Sequence, residues 1–382
     1  MRELVGAIEQ LHSWFQDEVL PLWFEIAYDE KQGGFYETVD FAGAPVSGPR
    51  RVRVQSRQVY TFTKAGALGW HPGAEDIAAE GFSFLVERAC PDHAKRGCVH
   101  RLSASNAISD MRRDLYDQAF LLLACAARIK TSGDPQAVKI ARNTFDFLDT
   151  ELKSDRGGWR ESDMGELPRR QNPHMHLLEA FMALYEATNE ERYLDAAKHV
   201  TTELFPKFVD QHTGLLFEFF DQALNIDTDR IKTEPGHMFE WVWLLNRLNS
   251  LAAPHSPAQC KPLFFRAYEI GADESFYGLI NNSYQPDEKM ISRPKRLWPQ
   301  TEYLRACCVM ASIGNAAVRD RIAPLIATLF ETYFKVEKSG LWIDEFDAKG
   351  APISTDVPAS ILYHIIEAVF ETKKLLDSLG DA

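Results

Sequence analysis

The segment Glu30-Lys31-Gln32-Gly33-Gly34-Phe35-Tyr36 places a polar turn and a glycine ahead of two aromatic residues that can form a short strand. The same order of turn, glycine and apolar residues returns at Gly97, Gly158, Gly214, Gly278 and Gly340. The intervals between successive glycines, from Gly34 onward, are 63, 61, 56, 64 and 62 residues. A fixed period of this length is typical of repeat architectures, in which each repeat is one supersecondary unit. Six repeats account for nearly all of the 382 residues.

Apolar residues at helical spacing fill the segments between these turns. Asp134-Pro135 and Asn172-Pro173 are typical helix starts, because proline fits the first turn of a helix. The spacing predicts twelve helices, approximately over 1–26, 52–68, 73–91, 112–131, 134–153, 172–188, 191–207, 235–251, 258–276, 298–314, 317–335 and 355–377. No series of β-α-β units appears in the pattern, which disfavours a Rossmann fold or a TIM barrel.

Six helical hairpins can stack as an open solenoid or close into a ring. An open array needs terminal repeats with a polar outer face. The last predicted helix is instead as apolar as the internal ones, with Ile361, Leu362, Ile365, Ile366, Val369 and Phe370. Such a helix requires partners on more than one side. The sequence therefore predicts an all-α (α/α)6 barrel with short β-hairpin-like loops, formed as a single catalytic domain over 1–382.

Composition and charge limit the class of function. The chain is 45% hydrophobic and 25% charged, which is typical of a folded protein. Its net charge of −13 disfavours nucleic-acid binding. The longest apolar run, 119–127, is far shorter than the ~20 residues that cross a bilayer. The first fifteen residues lack the apolar core of a signal peptide, and the six cysteines show no C-x-x-C spacing. We therefore expect a cytoplasmic protein with reduced thiols and no membrane partner.

Each even-numbered predicted helix belongs to the inner ring of such a barrel and carries a polar or charged residue near its start. These residues are Arg57, Asp117 (after Tyr116), His176, His237, Glu302 and His364. Their intervals of 60, 59, 61, 65 and 62 residues follow the same period as the glycine turns. Equivalent positions of a cyclic repeat lie at a similar height and point to one axis. We therefore expect these side chains to converge on a single pocket, which is the usual place for an active site.

Three of these histidines are each followed by a glutamate three residues later: His176–Glu179, His237–Glu240 and His364–Glu367. This spacing places both side chains on one helix face. A carboxylate beside an imidazole can fix its tautomer and raise its pKa, as acid–base catalysis requires. In the alternative interpretation, each histidine is an ordinary core residue and each glutamate a solvated neighbour. Three pairs in phase with the repeat favour the catalytic interpretation.

The sequence offers little support for a metal or a cofactor. Di-iron helical bundles use the order Glu-x-x-His, which is the reverse of the order found here. The chain contains no H-E-x-x-H motif, EF-hand loop, G-x-G-x-x-G motif or phosphate-binding loop. We therefore expect neither a metal nor a cofactor.

Aromatic residues accompany the polar ones on the predicted inner helices. Trp298 lies four residues before Glu302 and so on the same helix face, where it can stack on the apolar face of a sugar ring. Tyr60 and Tyr116 also lie beside polar candidates, although most of the aromatic residues must belong to the core. Trp298 is the strongest candidate for a stacking platform.

Four strings of residues resemble the N-acylglucosamine 2-epimerase superfamily: Val52-Arg53-Val54-Gln55-Ser56-Arg57-Gln58-Val59-Tyr60, Asn172-Pro173-His174-Met175-His176-Leu177-Leu178-Glu179-Ala180, Pro235-Gly236-His237-Met238-Phe239-Glu240-Trp241 and Arg296-Leu297-Trp298-Pro299-Gln300-Thr301-Glu302. With the His364 segment, the resemblance spans nearly the whole chain. It implies an (α/α)6 barrel that transfers a proton at C2 of a sugar, as a 2-epimerase or an aldose–ketose isomerase. The wording R-V-R-V-Q-x-R-Q and R-L-W-P-Q-T-E is most similar to the mannose isomerase branch. The chain lacks the M-Q-G-R-Q and W-W-P wording of N-acylglucosamine epimerases.

The resemblance implies a role for each candidate residue. His364 and His237 are the expected acid–base pair, and His176 is expected to assist ring opening or proton shuttling. Arg57 is expected to hold the C1 and C2 oxygens, and Glu240 to orient a histidine or a hydroxyl. The expected sugar-binding residues are Tyr60, Tyr116, Asp117, Asn172, Trp298 and Glu302. Which histidine takes the C2 proton is left open.

The resemblance also implies a substrate, which is D-mannose exchanging with D-fructose, with D-lyxose and D-xylulose as a further pair. No phosphate clamp is evident, so a free monosaccharide is expected. A sugar 2-epimerase, acting on N-acylglucosamine or on mannose and glucose, is the alternative within the family. The chain is expected to be a monomer or a homodimer.

Two classes of function outside this chemistry are alternatives. An inverting glycoside hydrolase needs two carboxylates ~6.5–9.5 Å apart, for which Asp117, Glu240 and Glu302 are available. That interpretation leaves the three phased histidines unexplained. A non-catalytic sugar- or protein-binding member is the other alternative, and its function is expected to survive replacement of His364.

Overall fold

The computed structural model describes residues 1–252, 259–286 and 290–380. Sixteen helices lie within these ranges: α1 (Arg2–Trp14), α2 (Leu20–Ile26), α3 (Val52–Ala67), α4 (Ala74–Ala89), α5 (Pro91–Ala94), α6 (Leu115–Ser132), α7 (Pro135–Phe147), α8 (Gln171–Thr188), α9 (Glu191–His199), α10 (Phe205–Phe208), α11 (Pro235–Leu251), α12 (Cys260–Gly271), α13 (Leu297–Ser312), α14 (Ala316–Arg319), α15 (Ile322–Glu331) and α16 (Leu362–Gly380). Short π-helical turns over Phe15–Val19, Leu148–Leu152 and Val200–Leu204 continue α1, α7 and α9.

The helices form two concentric rings. Helices α3, α6, α8, α11, α13 and α16 make the inner ring, in which each helix packs on the next and α16 packs back on α3. The outer ring holds α1, α4, α7, α9, α12 and α15, each packed beside an inner helix. Because α1 also contacts α15 and α16, the outer ring closes as well. The fold is an (α/α)6 barrel, and the predicted closure is confirmed.

Fourteen strands of two or three residues lie in the loops of the described chain: β1 (Thr38–Val39), β2 (Pro45–Val46), β3 (Arg50–Arg51), β4 (Arg101–Leu102), β5 (Ile108–Asp110), β6 (Arg169–Arg170), β7 (Phe219–Phe220), β8 (Ala272–Asp273), β9 (Leu279–Ile280), β10 (Ser283–Gln285), β11 (Met290–Ser292), β12 (Lys295–Arg296), β13 (Glu345–Phe346) and β14 (Val357–Pro358). All pairs are antiparallel.

The strands connect each repeat to the next. The segment before an inner helix pairs with the segment after the following glycine turn, as in β3–β4, β6–β7 and β12–β13. Thr233 makes the same link to Tyr284 as an isolated bridge, and the Leu115 N–H makes it by donating to the Glu161 carbonyl. The last link joins β14 to β1, from opposite ends of the chain. This pairing closes the ring of loops at the end of the barrel where the inner helices begin.

The six glycine turns confirm the repeat that the spacing predicts. All six glycines have positive φ, from +60° at Gly158 to +86° at Gly340. At Gly97 a Cβ atom would lie 1.9 Å from Gln118 Oε1, so only glycine fits. Gln118 instead bonds both backbone groups of Cys98, donating to its carbonyl and accepting from its N–H. Inner-helix glutamines thus hold these turns against the barrel, and Gln55 and Gln300 repeat the arrangement at Phe35 and Ile280.

Three predicted helices have different bounds. The helix predicted over 355–377 begins at Leu362, because Val357–Pro358 forms β14 with β1. The helix predicted over 317–335 is divided into α14 and α15 and ends at Glu331. The helix predicted over 258–276 is Cys260–Gly271, because Ala272–Asp273 forms β8 with β9; residue 258 lies outside the described residues.

Burial separates apolar from polar side chains across the inner ring. Large apolar residues such as Trp23, Phe62 and Trp342 are fully buried. The buried charged residues of the inner helices lie around the barrel axis instead. All six cysteines are buried free thiols. Across the described ranges, no helix has both the length and the apolar character that crossing a membrane requires.

Candidate active site

A cavity of about 380 Å³ lies at the end of the barrel where the inner helices begin. This volume is within the ~300–1,000 Å³ typical of small-molecule sites. Eight of the predicted site residues line the cavity: Arg57, Tyr116, Asn172, His176, His237, Glu240, Trp298 and His364. They come from all six inner helices, and four of the six phased residues (Arg57, His176, His237 and His364) are among them, so the convergence expected from the repeat is observed in part.

Three residues expected to bind sugar lie outside the cavity lining. Tyr60 lies about one helical turn beyond Arg57, where its hydroxyl donates to Glu367 Oε1 at 2.7 Å. Asp117 is fully buried behind the wall, with His100 Nδ1 at 2.6 Å and Arg53 at 3.4 Å. Glu302 is also fully buried and lies beneath His364. The expectation of direct sugar contact is therefore corrected for these three residues, because their carboxylate and hydroxyl groups are bonded inside the protein.

His237 is surrounded by carboxylates. Its Nδ1 lies 3.0 Å from Glu218 Oε1 and 3.7 Å from Glu234 Oε2, and its Nε2 lies 3.0 Å from the side-chain amide of Asn172. Burial alone lowers the pKa of a histidine, but here the charges on Glu218 and Glu234 overcome it and raise the pKa of His237 to about 9. His237 is therefore an imidazolium at neutral pH.

His364 has the opposite character. Its Nδ1 lies 2.7 Å from Glu302 Oε1, which leaves Nε2 as the nitrogen available to the cavity. Burial, together with the positive charge of Arg57, holds the pKa of His364 well below its ordinary value. His364 is therefore a neutral imidazole at neutral pH.

His176 forms a third buried histidine site with two carboxyl groups. Its Nδ1 lies 3.2 Å from Glu179 Oε2, and burial lowers the pKa of His176 to about 4. Its Nε2 lies 3.8 Å from Glu240 Oε1. Burial and the nearby Glu302 and Glu179 charges raise the pKa of Glu240 well above its ordinary value. Among the described residues, neither carboxyl oxygen of Glu240 has a hydrogen-bond partner, so this acid is available to a ligand.

The predicted pairing of each histidine with the glutamate three residues later holds only for His176 and Glu179. Glu218 takes the place of Glu240 at His237, and Glu302 takes the place of Glu367 at His364. These partners come from a neighbouring loop and a neighbouring helix, which local helical spacing does not reveal. A weak signal for Glu218 exists in the sequence: it follows Gly214 by four residues, and Glu37 and Glu161 follow their glycine turns by three.

Trp298 and Arg57 complete the lining. The Trp298 ring lies between the two histidines of opposite character, with ring centroids 4.9 Å from His237 and 5.7 Å from His364. Arg57 Nη2 donates to the Tyr116 hydroxyl at 2.8 Å, and its guanidinium lies 4.2 Å from the Phe120 ring centroid. In the described part of the chain Arg57 has no carboxylate partner, and its Nε has no hydrogen-bond partner. Its charge is therefore available to a bound oxyanion.

Four further arginines, which the sequence pattern did not indicate, also line the cavity: Arg51, Arg53, Arg170 and Arg296. Each is paired with a carboxylate outside the lining. Arg51 bonds Glu37 at 2.8 Å, Arg170 bonds Glu161 at 2.5 Å, and Arg53 and Arg296 have looser carboxylate partners at 3.4 and 3.2 Å. The entrance is thus surrounded by ion pairs rather than by free positive charges.

Two groups of side chains bring three potential metal ligands within 4.8 Å of one another: His176, Glu179 and Glu240, and His100, Asp114 and Asp117. The first group already accepts a hydrogen bond from Tyr363 on Glu179 at 2.5 Å. The second group faces two guanidinium groups, because Arg53 lies on Asp117 and Arg170 on Asp114. Hydrogen-bond donors and cations at the ligand oxygens oppose a metal ion. Independence from metal remains a prediction.

Comparison with known proteins shows the family of the chain. The sequence profile of the N-acylglucosamine 2-epimerase family matches residues 34–368. A protein named mannose-6-phosphate isomerase from Rhizobium meliloti (strain 1021) is 34% identical, and the alignment covers 96% of this chain and 97% of the relative.

Solved structures share the fold. A cellobiose 2-epimerase from Spirochaeta thermophila superposes with a TM-score of 0.87 at 22% identity, covering 98% of each chain. A D-mannose isomerase superposes with a TM-score of 0.84 at 22% identity, covering 97% of each chain. Together with the sequence matches, these findings show that the chain belongs to the N-acylglucosamine 2-epimerase family and is a sugar isomerase or epimerase.

Proposed function

We propose that the protein is an aldose–ketose isomerase that interconverts free D-mannose and D-fructose, with D-lyxose and D-xylulose as a further substrate pair. One observation carries the proposal: His237 and His364 flank Trp298 in one cavity, and their pKa values are displaced in opposite directions. Two titratable groups whose environments separate their pKa values are typical of an acid–base pair. His237 is then the acid and His364 the base.

The proposed reaction begins with ring opening, which moves a proton from O1 to the ring oxygen. Glu240, whose pKa is raised by burial, and the neutral His176 lie beside each other in the lining and are placed to exchange these protons. His364 Nε2 then takes the C2 proton, and the electron pair of the C2–H bond forms the C1=C2 double bond. The charge that develops on O1 is neutralised by the proton that His237 donates. The product of this half-reaction is a cis-enediol.

The second half-reaction reverses the roles. O1 and O2 lie side by side in a cis-enediol, so the same imidazole of His237 can take the O2 proton. The C2=O bond forms, and His364 returns its proton to C1, which gives the ketose and restores both histidines. Arg57 is placed to stabilise the charged oxygen, and a preorganised donor of this kind contributes ~3 kcal/mol to lowering the barrier. The imidazolium of His237 donates from Nε2, so the Asn172 amide beside that nitrogen accepts through its oxygen.

Two observations favour other reactions of the same site. His237 and His364 reach the same cavity from different inner helices, and two proton-transfer groups in one site also suit delivery of a proton to the other face of C2, as in a 2-epimerase. The name of the 34% identical relative suggests a phosphorylated mannose. We favour a free sugar, because each of the four entrance arginines already has a carboxylate partner.

The proposal predicts the outcome of a substrate panel. Purified protein is incubated separately with D-mannose, D-lyxose, D-mannose 6-phosphate, N-acetylmannosamine and cellobiose, with and without EDTA, and products are separated by chromatography. We expect fructose from mannose at the highest kcat/KM, with no loss of rate in EDTA. Glucose as the main product from mannose supports an epimerase instead. Turnover of the phosphorylated sugar alone contradicts the choice of a free substrate.

A further inference from the structure

We propose that Arg305, on the buried side of α13, is a positioning residue that keeps Glu302 ionised and thereby fixes the tautomer in which His364 can act as a base. Arg305 is fully buried and does not line the cavity. Its effect on catalysis is exerted through Glu302. This inference rests on the proposed role of His364, and its first test needs no substrate.

A continuous series of charged contacts runs from His364 toward the opposite end of the barrel. Glu302 Oε1 lies 2.7 Å from His364 Nδ1, and its Oε2 accepts from Arg305 Nη1 at 2.7 Å. Arg305 Nη2 lies 3.5 Å from Glu367 Oε2. Glu367 Oε1 in turn accepts hydrogen bonds from Tyr60 and Lys64. Arg305 therefore bonds two buried glutamates, Glu302 through Nη1 and Glu367 through Nη2.

Two buried glutamates on other inner helices, Glu179 and Glu367, oppose the ionisation of Glu302. The titratable and charged groups that face it are Arg305 on α13, His364, Tyr363 and Glu367 on α16, Glu179 on α8, and Glu240 on α11. Lys64 on α3 acts on it through Glu367. Arg305 is the one permanent cation among the described residues that bonds Glu302 directly. Removing it leaves Glu302 buried among acids.

The protonation state of Glu302 decides which nitrogen of His364 is free. An ionised Glu302 only accepts hydrogen bonds, so His364 must carry its proton on Nδ1 and present an unprotonated Nε2 to the cavity. A protonated Glu302 can donate to Nδ1 instead, which moves the imidazole proton to Nε2 and removes the base. Glu302 bonds only the Nδ1 edge of the His364 ring. The imidazole proton can therefore move from Nδ1 to Nε2 without any movement of the backbone.

The balance of charges places this switch near neutral pH. Burial raises the pKa of Glu302 to about 7, although the charge on Arg305 acts to lower it and the Glu179 and Glu367 charges act to raise it. The active state is the ionised one, so activity is lost as pH falls through this value. Replacing Arg305 by a neutral residue raises the pKa of Glu302 and moves the loss to higher pH. Replacing Glu367 by a neutral residue acts in the opposite sense and moves the loss to lower pH.

The first test measures the tautomer of His364 in the resting protein. ¹⁵N-histidine-labelled protein is titrated by NMR, and the His364 signals are assigned by their absence in His364→Asn. In the parent protein above pH 7 we expect one bonded hydrogen on Nδ1 and none on Nε2. In Arg305→Gln we expect this state to be reached ~1–3 pH units higher, because an arginine beside a carboxylate lowers its pKa by that amount. Arg305→Lys keeps the positive charge, so we expect its titration to lie close to that of the parent protein.

The second test uses opposite signs, which a merely structural role does not produce. The acidic limb of kcat is expected to move to higher pH in Arg305→Gln and to lower pH in Glu367→Gln, with little change in KM. Arg247→Gln is the matched control, because Arg247 is a partly buried arginine that bonds Glu186 and lies outside this series of contacts. We expect it to leave the limb unchanged.

The two tests separate failure of this inference from failure of the proposed function. If mannose is not turned over, the NMR titration still decides whether Arg305 sets the tautomer. If Arg305→Gln does not fold, the shift in Glu367→Gln decides, by NMR or by kcat. An unchanged tautomer titration in these variants, or a shift in the same direction in both, overturns the inference.

Discussion

Replacing His364 by asparagine is expected to lower kcat for mannose isomerisation by roughly 10²–10⁴-fold, the usual contribution of a positioned acid or base. KM is expected to change little, because Trp298 and Arg57 remain to hold the sugar. Asparagine is shorter than histidine and cannot take a proton, yet it can still bond Glu302. The loss is measured by steady-state kinetics with D-mannose, together with loss of proton exchange at C2.

A matched control for this variant is available on α8, on the other side of the inner ring. His174 is also fully buried, but its Nε2 accepts from the Trp159 backbone N–H at 3.1 Å and its Nδ1 bonds the Arg170 carbonyl at 2.9 Å. His174→Asn is expected to lower Tm while the folded enzyme keeps its kcat. Full turnover by His364→Asn contradicts the assignment of the base and favours another residue as the catalyst.

Glu218→Gln is expected to move the alkaline limb of kcat to lower pH by ~1–3 units, because it removes the carboxylate nearest to His237. His237 must carry a proton to act as the acid, and its pKa of about 9 places the loss of activity above neutral pH in the parent protein. When that pKa falls, the same loss occurs at lower pH. Activity near pH 8 is therefore expected to fall sharply in the variant and to recover as the pH is lowered.

The control for Glu218 is the glutamate of the preceding repeat. Glu161 also follows a glycine turn, but it bonds Arg170 rather than a histidine. Glu161→Gln is expected to leave the position of the alkaline limb unchanged. A Glu218→Gln enzyme whose alkaline limb stays at the parental pH shows that His237 is not held protonated by this carboxylate, and the assignment of the acid then fails.

The sequence predicts the barrel because its repeat is a local property. A glycine that needs positive φ, a following strand and an inner helix recur within each period, and the first polar residues of the inner helices keep that period. Arg57 and the three histidines therefore reach the cavity as expected. Helix α16 begins later than the predicted residue 355, because its start depends on pairing between β14 and β1, which are more than 300 residues apart.

The partners of the catalytic histidines depend on contacts between elements. Glu240 and Glu367 are close to their histidines in sequence, but the inner helices turn Glu367 toward Lys64 and leave Glu240 beside His176. Tyr60 shares an inner helix with Arg57 and nevertheless lies beyond the cavity, because one turn of helix is a displacement of about 5.4 Å along its axis. Helical spacing gives the direction of a side chain, whereas depth and partner are set by the neighbouring helices.

In the proposed reaction, His364 and His237 act together on one open-chain sugar between them. Isomerisation of D-mannose in heavy water, followed by NMR of the products, tests this most directly. Because one base on one face both removes and returns the proton, we expect fructose with deuterium in a single stereochemical position at C1. Deuterium confined to C2 of an epimeric aldose, with no labelled ketose, contradicts the proposed reaction.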